Sequence, residues 1–282
     1  MDTFRTLLVL GLVFMFNVSG AQPEQPYKYK GDGIDEVDVP YVPTPEDVVH
    51  AMLTRAKAGP GDIHYDLGSG DGRIVVSALR DFKVDRAVGV DLDPVRIKEA
   101  RENARQAGVA DRATFYEADL FGFDFHEATV LTLYLLPEIN LKLRPRILDE
   151  LAPGTRVVSH AFTMGEWEAD VIDTIGGRNI YYWVVPAKAE GEWDWTMNGT
   201  AYRAVIAQNF QHLSGDMIAS GARVPLQYGV VSGDMVSFET RARDTNGQTR
   251  TMLFEGTLSG NTIDGVVVID GKSTDVTARR AN

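Results

Sequence analysis

The 282-residue sequence contains no cysteine. Without thiols the chain cannot form disulfides, thiolate metal sites or a cysteine nucleophile, and we predict no metal site. Positive charge is also scarce, because 28 lysines and arginines stand against 40 aspartates and glutamates and the net charge is −12. Such a protein repels a phosphate backbone, so a nucleic-acid substrate is disfavoured.

A long hydrophobic run is missing as well. Near the amino terminus, Arg5 precedes an apolar core at residues 7–16, and small residues follow at 19–21. The core is shorter than the ~20 apolar residues that a membrane-spanning helix needs, so this layout predicts a signal peptide over residues 1–21. An uncleaved membrane anchor and a misassigned start codon are the alternatives. We therefore expect an exported, periplasmic or membrane-associated protein, with a linker at residues 22–40.

Glycines are concentrated in the stretch that organises the remaining chain. Residues 62–93 predict a β-α-β unit, in which a short apolar strand ends in D-L-G-S-G-D-G at residues 66–72 and a mostly apolar helix follows. Glycine tolerates the backbone torsions of such a turn and lets a ligand approach the main chain closely. The start of the helix offers free N–H groups to a carboxylate or phosphate. The stretch therefore predicts a nucleotide-binding crevice.

Residues around this turn indicate which kind of nucleotide the crevice is expected to bind. The dinucleotide fingerprint G-x-G-x-x-G is not met, because Gly72 comes one residue early and Arg73 takes the place of the last glycine. Asp66 precedes the first glycine by two residues, and Asp91 ends the next predicted strand. A carboxylate there can accept hydrogen bonds from both ribose hydroxyls, so we predict Asp91 as the ribose ligand. Asp93 precedes a proline and is predicted to cap the next helix.

The order of the remaining elements predicts the fold. Further strands are expected at residues 113–118, 128–136, 156–162 and 180–186. Because helical segments separate most of them, residues 41–187 predict an α/β domain with a Rossmann-like, doubly wound sheet. Short alternating segments at residues 191–282 predict an antiparallel meander of seven or eight strands, which closes into a β-barrel or β-sandwich.

Repeated phrases mark the turns of this meander. Residues 213–218, 231–236 and 258–263 each carry Gly-Asp or Gly-Asn between apolar runs, and we predict a hairpin turn at each. Trp193 and Trp195 occupy alternate positions and hence one face of a strand, where we expect core or interdomain packing.

The pattern D-x-G-x-G-x-G at residues 66–72 resembles the first motif of class I S-adenosylmethionine-dependent methyltransferases. With YVPTPEDVV, VGVDLDP, LYLLPEIN and VSHAF, it makes residues 41–186 similar to bacterial proteins related to the mitochondrial protein-lysine N-methyltransferases. Those enzymes act on the ATP synthase c-subunit and the adenine nucleotide translocase. The resemblance implies S-adenosylmethionine as cofactor and a protein lysine or another amine as methyl acceptor. It does not extend to the β-rich residues 191–282, which the mitochondrial relatives lack.

The resemblance also implies roles for individual residues in cofactor binding. It assigns the methionine portion of the cofactor to Asp66, Gly68, Gly70 and Gly72. It assigns the ribose to Asp91 and the adenine to Asp119. A cap of its own loop is the alternative for Asp119. The segment before the first strand lies over the cofactor in this fold, so Tyr41 and Thr44 are predicted contacts. Capping of the helix that begins at Pro45 is the alternative for Thr44.

Three polar residues are predicted to face the methyl acceptor. The carboxyl ends of the strands border the crevice, which brings Tyr134, Glu138 and His160 towards the methyl group. A lysine has a pKa of ~10.4, so freeing its lone pair near neutral pH costs about 4–5 kcal/mol and requires desolvation or a base. We therefore predict these three residues as catalytic. Their structural alternatives are the first turn of a helix for Glu138, a buried hydroxyl for Tyr134 and a hydrogen-bonded core residue for His160.

Two other classes of function compete with a methyltransferase. A nicotinamide-dependent oxidoreductase would use the same crevice, but Arg73 in place of the final glycine disfavours it. A non-catalytic exported binding protein would not need Asp66 or Asp91, and both are present. The chain also lacks an Asn/Asp-Pro-Pro-Tyr/Phe motif, which argues against methylation of planar base or glutamine nitrogens.

Overall fold

The structure is a computed structural model that describes residues 27–29, 37–39, 41–243 and 248–281. The chain divides into two compact units, Met1–Tyr41 and Val42–Asn282. In the first unit, strands β1 (Tyr27–Tyr29) and β2 (Val37–Val39) pair antiparallel within the predicted linker. The predicted signal peptide lies outside the described residues.

The second unit begins with a seven-stranded sheet and its helices. The strands are β3 (Ile63–Leu67), β4 (Arg86–Asp91), β5 (Ala113–Glu117), β6 (Val130–Leu133), β7 (Arg156–His160), β8 (Val171–Ile175) and β9 (Arg178–Val184). The helices are α1 (Glu46–Arg55), α2 (Arg73–Arg80), α3 (Pro94–Gln106) and α4 (Pro137–Glu150). The spatial order is β5-β4-β3-β6-β7-β9-β8, and the first five strands run parallel. This confirms the predicted Rossmann-like domain.

The middle of this sheet creates the crevice. β6 is buried along its whole length and β3 is buried after its first residue, as expected for strands covered on both faces. β3 pairs with β4 on one side and with β6 on the other, so the chain changes direction across the sheet between β3 and β6. Ligands of open α/β sheets bind at such a switch point, beyond the carboxyl ends of the strands.

The sheet ends in an antiparallel hairpin, and only the second of its two strands was predicted. β9 pairs antiparallel with β7, and the unpredicted β8 forms the edge beyond it. The turn between them uses Gly176 and Gly177, both with positive φ. β8 alternates between half-buried and exposed residues, but its apolar residues Val171, Ile172 and Ile175 do not alternate with polar ones, so the five-residue strand lacked the expected periodicity. Among the described residues, no helix combines the length and apolar character that crossing a bilayer requires.

The remaining part of the unit is a closed eight-stranded barrel. Of the two predicted alternatives, the β-sandwich is therefore wrong and the β-barrel is confirmed. Its strands are β10 (Gly191–Met197), β11 (Thr200–Asn209), β12 (His212–Ala219), β13 (Ala222–Ser232), β14 (Met235–Arg243), β15 (Thr249–Ser259), β16 (Thr262–Ile269) and β17 (Lys272–Arg280). Each strand pairs antiparallel with the next, and β17 returns to β10. Trp193 and Trp195 are buried in the barrel core, as predicted.

Two of the three repeated phrases form the predicted hairpin turns, and the first does not. Gly233 and Gly260 connect β13 to β14 and β15 to β16. Gly215 instead lies inside β12, at a shift of register opposite β13. A Cβ at Gly215 would lie 1.9 Å from the carbonyl oxygen of Val205 on β11, so this glycine serves a close approach of two strands. The hairpin before β12 turns instead at Phe210 and Gln211, between the paired residues of β11 and β12.

Candidate functional site

A glycine loop, residues 68–72, joins β3 to α2 at the switch point. Gly68, Gly70 and Gly72 have φ values of 79°, 50° and 75°, in the left-handed region. A Cβ at Gly68 would lie 2.5 Å from a side-chain carbon of Leu135, and a Cβ at Gly72 would lie 2.8 Å from the ring of Phe115. Glycine is therefore required here both by conformation and by space, and the loop presents bare main chain to the crevice.

Asp91 lies beside this loop at the carboxyl end of β4. One carboxylate oxygen accepts a hydrogen bond from the Gly70 N–H at 2.8 Å, and the other accepts from the Asp93 N–H at 2.9 Å. Burial raises the pKa of Asp91, and the two backbone hydrogen bonds oppose that rise. Each oxygen keeps a further lone pair, so Asp91 can still accept from a ligand hydroxyl. Asp93 accepts from the Val95 N–H and caps α3, as predicted.

A buried row of polar side chains runs beneath the loop. Asp66 is only 2% exposed and accepts a hydrogen bond from the Thr132 hydroxyl at 2.7 Å. The fully buried His64 places Nε2 2.8 Å from the same hydroxyl oxygen. Burial raises the pKa of Asp66 to about 7 and lowers the pKa of His64 to about 3, so His64 is neutral.

His64 and Thr132 were not among the predicted site residues. The available signal was the spacing of His64 and Asp66, which are two residues apart and hence on one face of β3. Thr132 lies directly opposite Asp66 in the register of β6. In the otherwise apolar strand β6 the threonine is consistent with strand structure alone, because β-branched side chains favour strands, and it gave no separate signal of a polar role.

Arg73 links the glycine loop to the segment before α1. Its guanidinium pairs with the Asp71 carboxylate at 2.6 Å and donates to the Thr44 carbonyl oxygen at 3.0 Å. Asn103 of α3 donates to the Asp71 carbonyl oxygen at 2.9 Å. The arginine that departs from the dinucleotide fingerprint therefore has a structural task, which is to tie Thr44 to the loop.

An aromatic wall, made of Tyr134, His160 and Phe162, stands at the carboxyl ends of β6 and β7. The ring centroids of Tyr134 and His160 are 4.0 Å apart, and those of Tyr134 and Phe162 are 6.1 Å apart. His160 is 2% exposed, and burial lowers its pKa to about 4. The His160 imidazole is therefore uncharged at neutral pH, and it lies directly beside the ring of Tyr134.

Thr44 contacts this wall instead of capping its helix. Its hydroxyl oxygen lies 3.2 Å from Nδ1 of His160, and both groups are buried. The cap position of α1 is Pro45, and no side chain caps this helix, so the alternative structural role for Thr44 is wrong. The physical reason is position, because α1 begins at Glu46 with Pro45 as its N-cap, and Thr44 therefore lies one residue before the place from which a side chain caps a helix.

A strained turn aims two members of the wall. Ala161 has φ of 66°, which is unusual for a residue with a Cβ, and the Phe162 N–H donates to the His160 carbonyl oxygen at 2.9 Å. The Ala161 N–H is held by the Asn179 carbonyl oxygen at 2.8 Å. Backbone strain of this kind costs about 1–3 kcal/mol and persists only where neighbouring contacts enforce it. The sequence offered no signal for it.

The remaining predicted residues are Glu138, Asp119 and Tyr41. Glu138 is exposed in the first turn of α4. Asp119 is exposed after β5 and accepts from the Phe121 N–H at 2.9 Å, which is the predicted loop cap. Tyr41 belongs to the first compact unit. The ligand or catalytic roles of these three residues stay predictions.

Comparison with known proteins relates this site to a family. Residues 66–171 match the family described as the ANTKMT methyltransferase domain. A protein-lysine N-methyltransferase from Saccharolobus islandicus (strain REY15A) is 47% identical over 146 residues, which cover 52% of this chain and 91% of that protein. The adenine nucleotide translocase lysine N-methyltransferase of Mus musculus is 32% identical over 155 residues, which cover 55% of this chain and 66% of that protein.

A solved structure is similar over about half of the chain. It is that of an RNA methyltransferase from Salinibacter ruber in complex with S-adenosyl-L-homocysteine. The two sequences are 51% identical, the TM-score is 0.51, and the match covers 52% of this chain and 95% of that one.

Proposed function

The chain belongs to the family of S-adenosylmethionine-dependent protein-lysine N-methyltransferases, and on this basis we propose that it methylates the side-chain amine of a lysine in a protein. The observation that carries the proposal is the double contact of Thr44. Its carbonyl oxygen binds Arg73 behind the glycine loop, and its hydroxyl binds His160 in the aromatic wall. The cofactor crevice and the aromatic wall are thereby joined at one residue.

The residues of the crevice suit the cofactor. S-adenosylmethionine brings an ammonium, a sulfonium, a carboxylate and two ribose hydroxyls. The buried carboxylate of Asp66 is costly to ionise alone, as its raised pKa shows, and a nearby cation would offset that cost. Asp91 offers free lone pairs for hydroxyl groups, and the bare turn of the glycine loop allows close approach of the methionine portion.

The aromatic wall suits a lysine acceptor. The cofactor supplies a methyl group on a positively charged sulfur, so the protein must align an uncharged amine with it. Tyr134 and Phe162 are half-buried and the His160 imidazole beside them is uncharged, so this surface lowers the pKa of an entering lysine, because burial disfavours the ammonium form. The low pKa of His160 makes its imidazole a weak base, so its contribution is to hold Tyr134 in place. Glu138 is exposed and can attract the ammonium before it enters.

A labelling experiment tests the acceptor. The purified protein is incubated with S-adenosylmethionine carrying a tritiated methyl group and with extracts of cells in which its gene has been deleted. We expect label in methyllysine after acid hydrolysis of the protein fraction, and none with the Asp91→Ala variant. Label found only in RNA, the acceptor class named for the Salinibacter protein, would overturn the proposal. Label found only in other amino acids would overturn it equally.

Cofactor binding should depend on pH through Asp66. Its pKa of about 7 means that the carboxyl is neutral below this pH and charged above it, so affinity for the amino group of S-adenosylhomocysteine should rise by about tenfold between about pH 6 and pH 8. In the absence of ligand, the stability of the fold depends on pH with the opposite sign. The folded state binds the extra proton above the ordinary pKa of 3.8, so the free energy of unfolding falls as the pH rises towards 7.

Isothermal titration with S-adenosylhomocysteine at several pH values measures this dependence. The control is Asp66→Asn, which keeps the shape of the side chain and its contact with Thr132 but cannot ionise. Its affinity should be weak and independent of pH over the same range. A wild-type affinity that does not change with pH would contradict the role of Asp66.

A further inference from the structure

The barrel reaches the sheet domain through the tip of the hairpin between β11 and β12. Phe210 at this tip stacks on Trp167, with ring centroids 6.2 Å apart and an angle of 18° between the ring planes. The Arg144 guanidinium of α4 lies 5.3 Å from the centroid of the Phe210 ring. Phe210 adopts a φ of 52°, a strained value for a residue with a Cβ.

The next residue of the tip makes polar contacts with the same part of the sheet domain. Gln211 is only 5% exposed, and its amide donates to the Glu168 carbonyl oxygen at 2.8 Å and to the Asp170 carboxylate at 3.3 Å. Asp170 in turn accepts from the Val184 N–H at 2.7 Å. Displacing this buried amide from the loop is costly, because both hydrogen bonds of its NH₂ group would be lost away from water.

The contacted loop, residues 163–170, follows the aromatic wall directly in the chain. It has little regular structure, since Met164 and Trp167 form a single isolated bridge. The carbonyl oxygen of the fully buried Trp167 accepts from the Trp183 indole N–H at 2.9 Å, and the Met164 carbonyl oxygen accepts from Arg144 at 2.8 Å. The loop therefore depends on side chains from outside it, and Phe210 contacts both Trp167 and Arg144.

A second hairpin tip holds the barrel in this position. The Gly233 carbonyl oxygen, between β13 and β14, accepts from the Ala187 N–H at 2.7 Å. A Cβ at Gly233 would lie only 3.2 Å from Gly154 Cα, so the two backbones are in direct contact. The tips of two hairpins at one end of the barrel therefore contact the sheet domain. These contacts restrict the rotation of the barrel relative to the sheet domain.

We propose that Phe210 and Gln211 of the barrel are positioning residues, which hold the loop 163–170 and through it keep Phe162 and His160 against Tyr134. This inference rests on the proposed function, because it takes the aromatic wall as the surface that receives the lysine. The Saccharolobus relative, of which 146 residues make up 91%, is too short to contain both the sheet domain and a barrel. In this chain the barrel therefore supports the loop beside the aromatic wall, and the short relative has no barrel for this role.

Hydrogen exchange, followed by mass spectrometry, tests this support without any methyl acceptor. In Phe210→Ala the amides of residues 161–167 should exchange about three- to tenfold faster, since aromatic pairs contribute enough free energy for such a change. The amides of the glycine loop should be unchanged, and affinity for S-adenosylhomocysteine should stay within about twofold. Phe210→Tyr keeps the ring and should restore the wild-type rates.

The matched control is Tyr228→Ala. Tyr228 is also an aromatic residue of the barrel with a φ of 51° and an arginine near its ring, Arg241 at 5.8 Å, but it is 74% exposed. Its removal should leave residues 161–167 unaffected. Unchanged exchange of residues 161–167 in Phe210→Ala would overturn the inference, and so would equal acceleration in both variants.

A second variant covers the case in which Phe210→Ala unfolds the barrel. Gln211→Met keeps the length of the side chain but removes its hydrogen bonds to Glu168 and Asp170, and it should accelerate the same amides. Because exchange reports the loop and not turnover, a failed labelling experiment would leave this result standing. If exchange were accelerated but methyl transfer to lysine were unimpaired, the positioning role would be wrong. The proposed function would still stand.

Discussion

Replacing Asp91 by alanine should weaken the binding of S-adenosylhomocysteine by about a hundredfold or more. The carboxylate holds the N–H groups of Gly70 and Asp93, so its removal both deletes a ligand for the ribose and releases the glycine loop. Loss of one partner from a buried, hydrogen-bonded charged group costs about 2–5 kcal/mol, which corresponds to an affinity change of this size. Isothermal titration at neutral pH measures it.

Asp93→Ala is the control for this substitution, because it removes an aspartate two residues away with a different task. Asp93 caps α3 through the Val95 N–H, so its loss should lower the free energy of unfolding by about 1 kcal/mol. The affinity for S-adenosylhomocysteine should change by less than about threefold. Equal affinity losses in the two variants would show that helix α3, and not the carboxylate of Asp91, governs the crevice.

Gly215→Ala should destabilise the protein by about 3 kcal/mol or more. A Cβ at this position would lie 1.9 Å from the carbonyl oxygen of Val205, and φ is 131°, so the substitution combines a backbone clash with a conformation that side chains avoid. Cβ clashes with neighbouring backbone cannot be relieved by a rotamer change, and β11 would have to move away from β12. Denaturant unfolding of wild type and variant gives the difference in free energy.

Gly260→Ala provides the comparison, because Gly260 occupies the corresponding place in a closely similar phrase of sequence. Its φ is 58°, but nothing lies within 4 Å of a Cβ built there. The expected loss is therefore the conformational cost alone, about 1–2 kcal/mol. A Gly215→Ala variant as stable as Gly260→Ala would refute the close approach of β11 and β12.

Local patterns in the sequence were enough to predict where the residues of the crevice lie in the fold. The glycine loop, Asp66 and Asp91 follow from the strand, turn and helix in which each residue sits, because the carboxyl ends of neighbouring parallel strands meet at one edge. The cap at Asp93 needed only the proline that follows it. The alternation of Trp193 and Trp195 likewise predicted their burial.

Contacts between distant segments could not be read in the same way. Thr44 and His160 are 116 residues apart in the chain, and only the folded sheet brings the hydroxyl to the imidazole. The phrases around Gly215 and Gly260 are nearly identical, yet neighbouring strands make one a bulge and the other a hairpin turn. The contact of Phe210 with Trp167 depends on how the barrel packs against the sheet domain, and no periodicity within either segment encodes that packing.

The double contact of Thr44 has a thermodynamic consequence for the two substrates. Any ligand that shifts the segment before α1 on the cofactor side must also strain the Thr44 hydroxyl against His160, and the reverse holds for a ligand at the aromatic wall. We therefore expect the two binding equilibria to be linked. By reciprocity, the factor by which the cofactor changes the affinity for the lysine segment equals the factor by which that segment changes the affinity for the cofactor. Thr44→Val, which loses the hydroxyl, should bring that common factor closer to one.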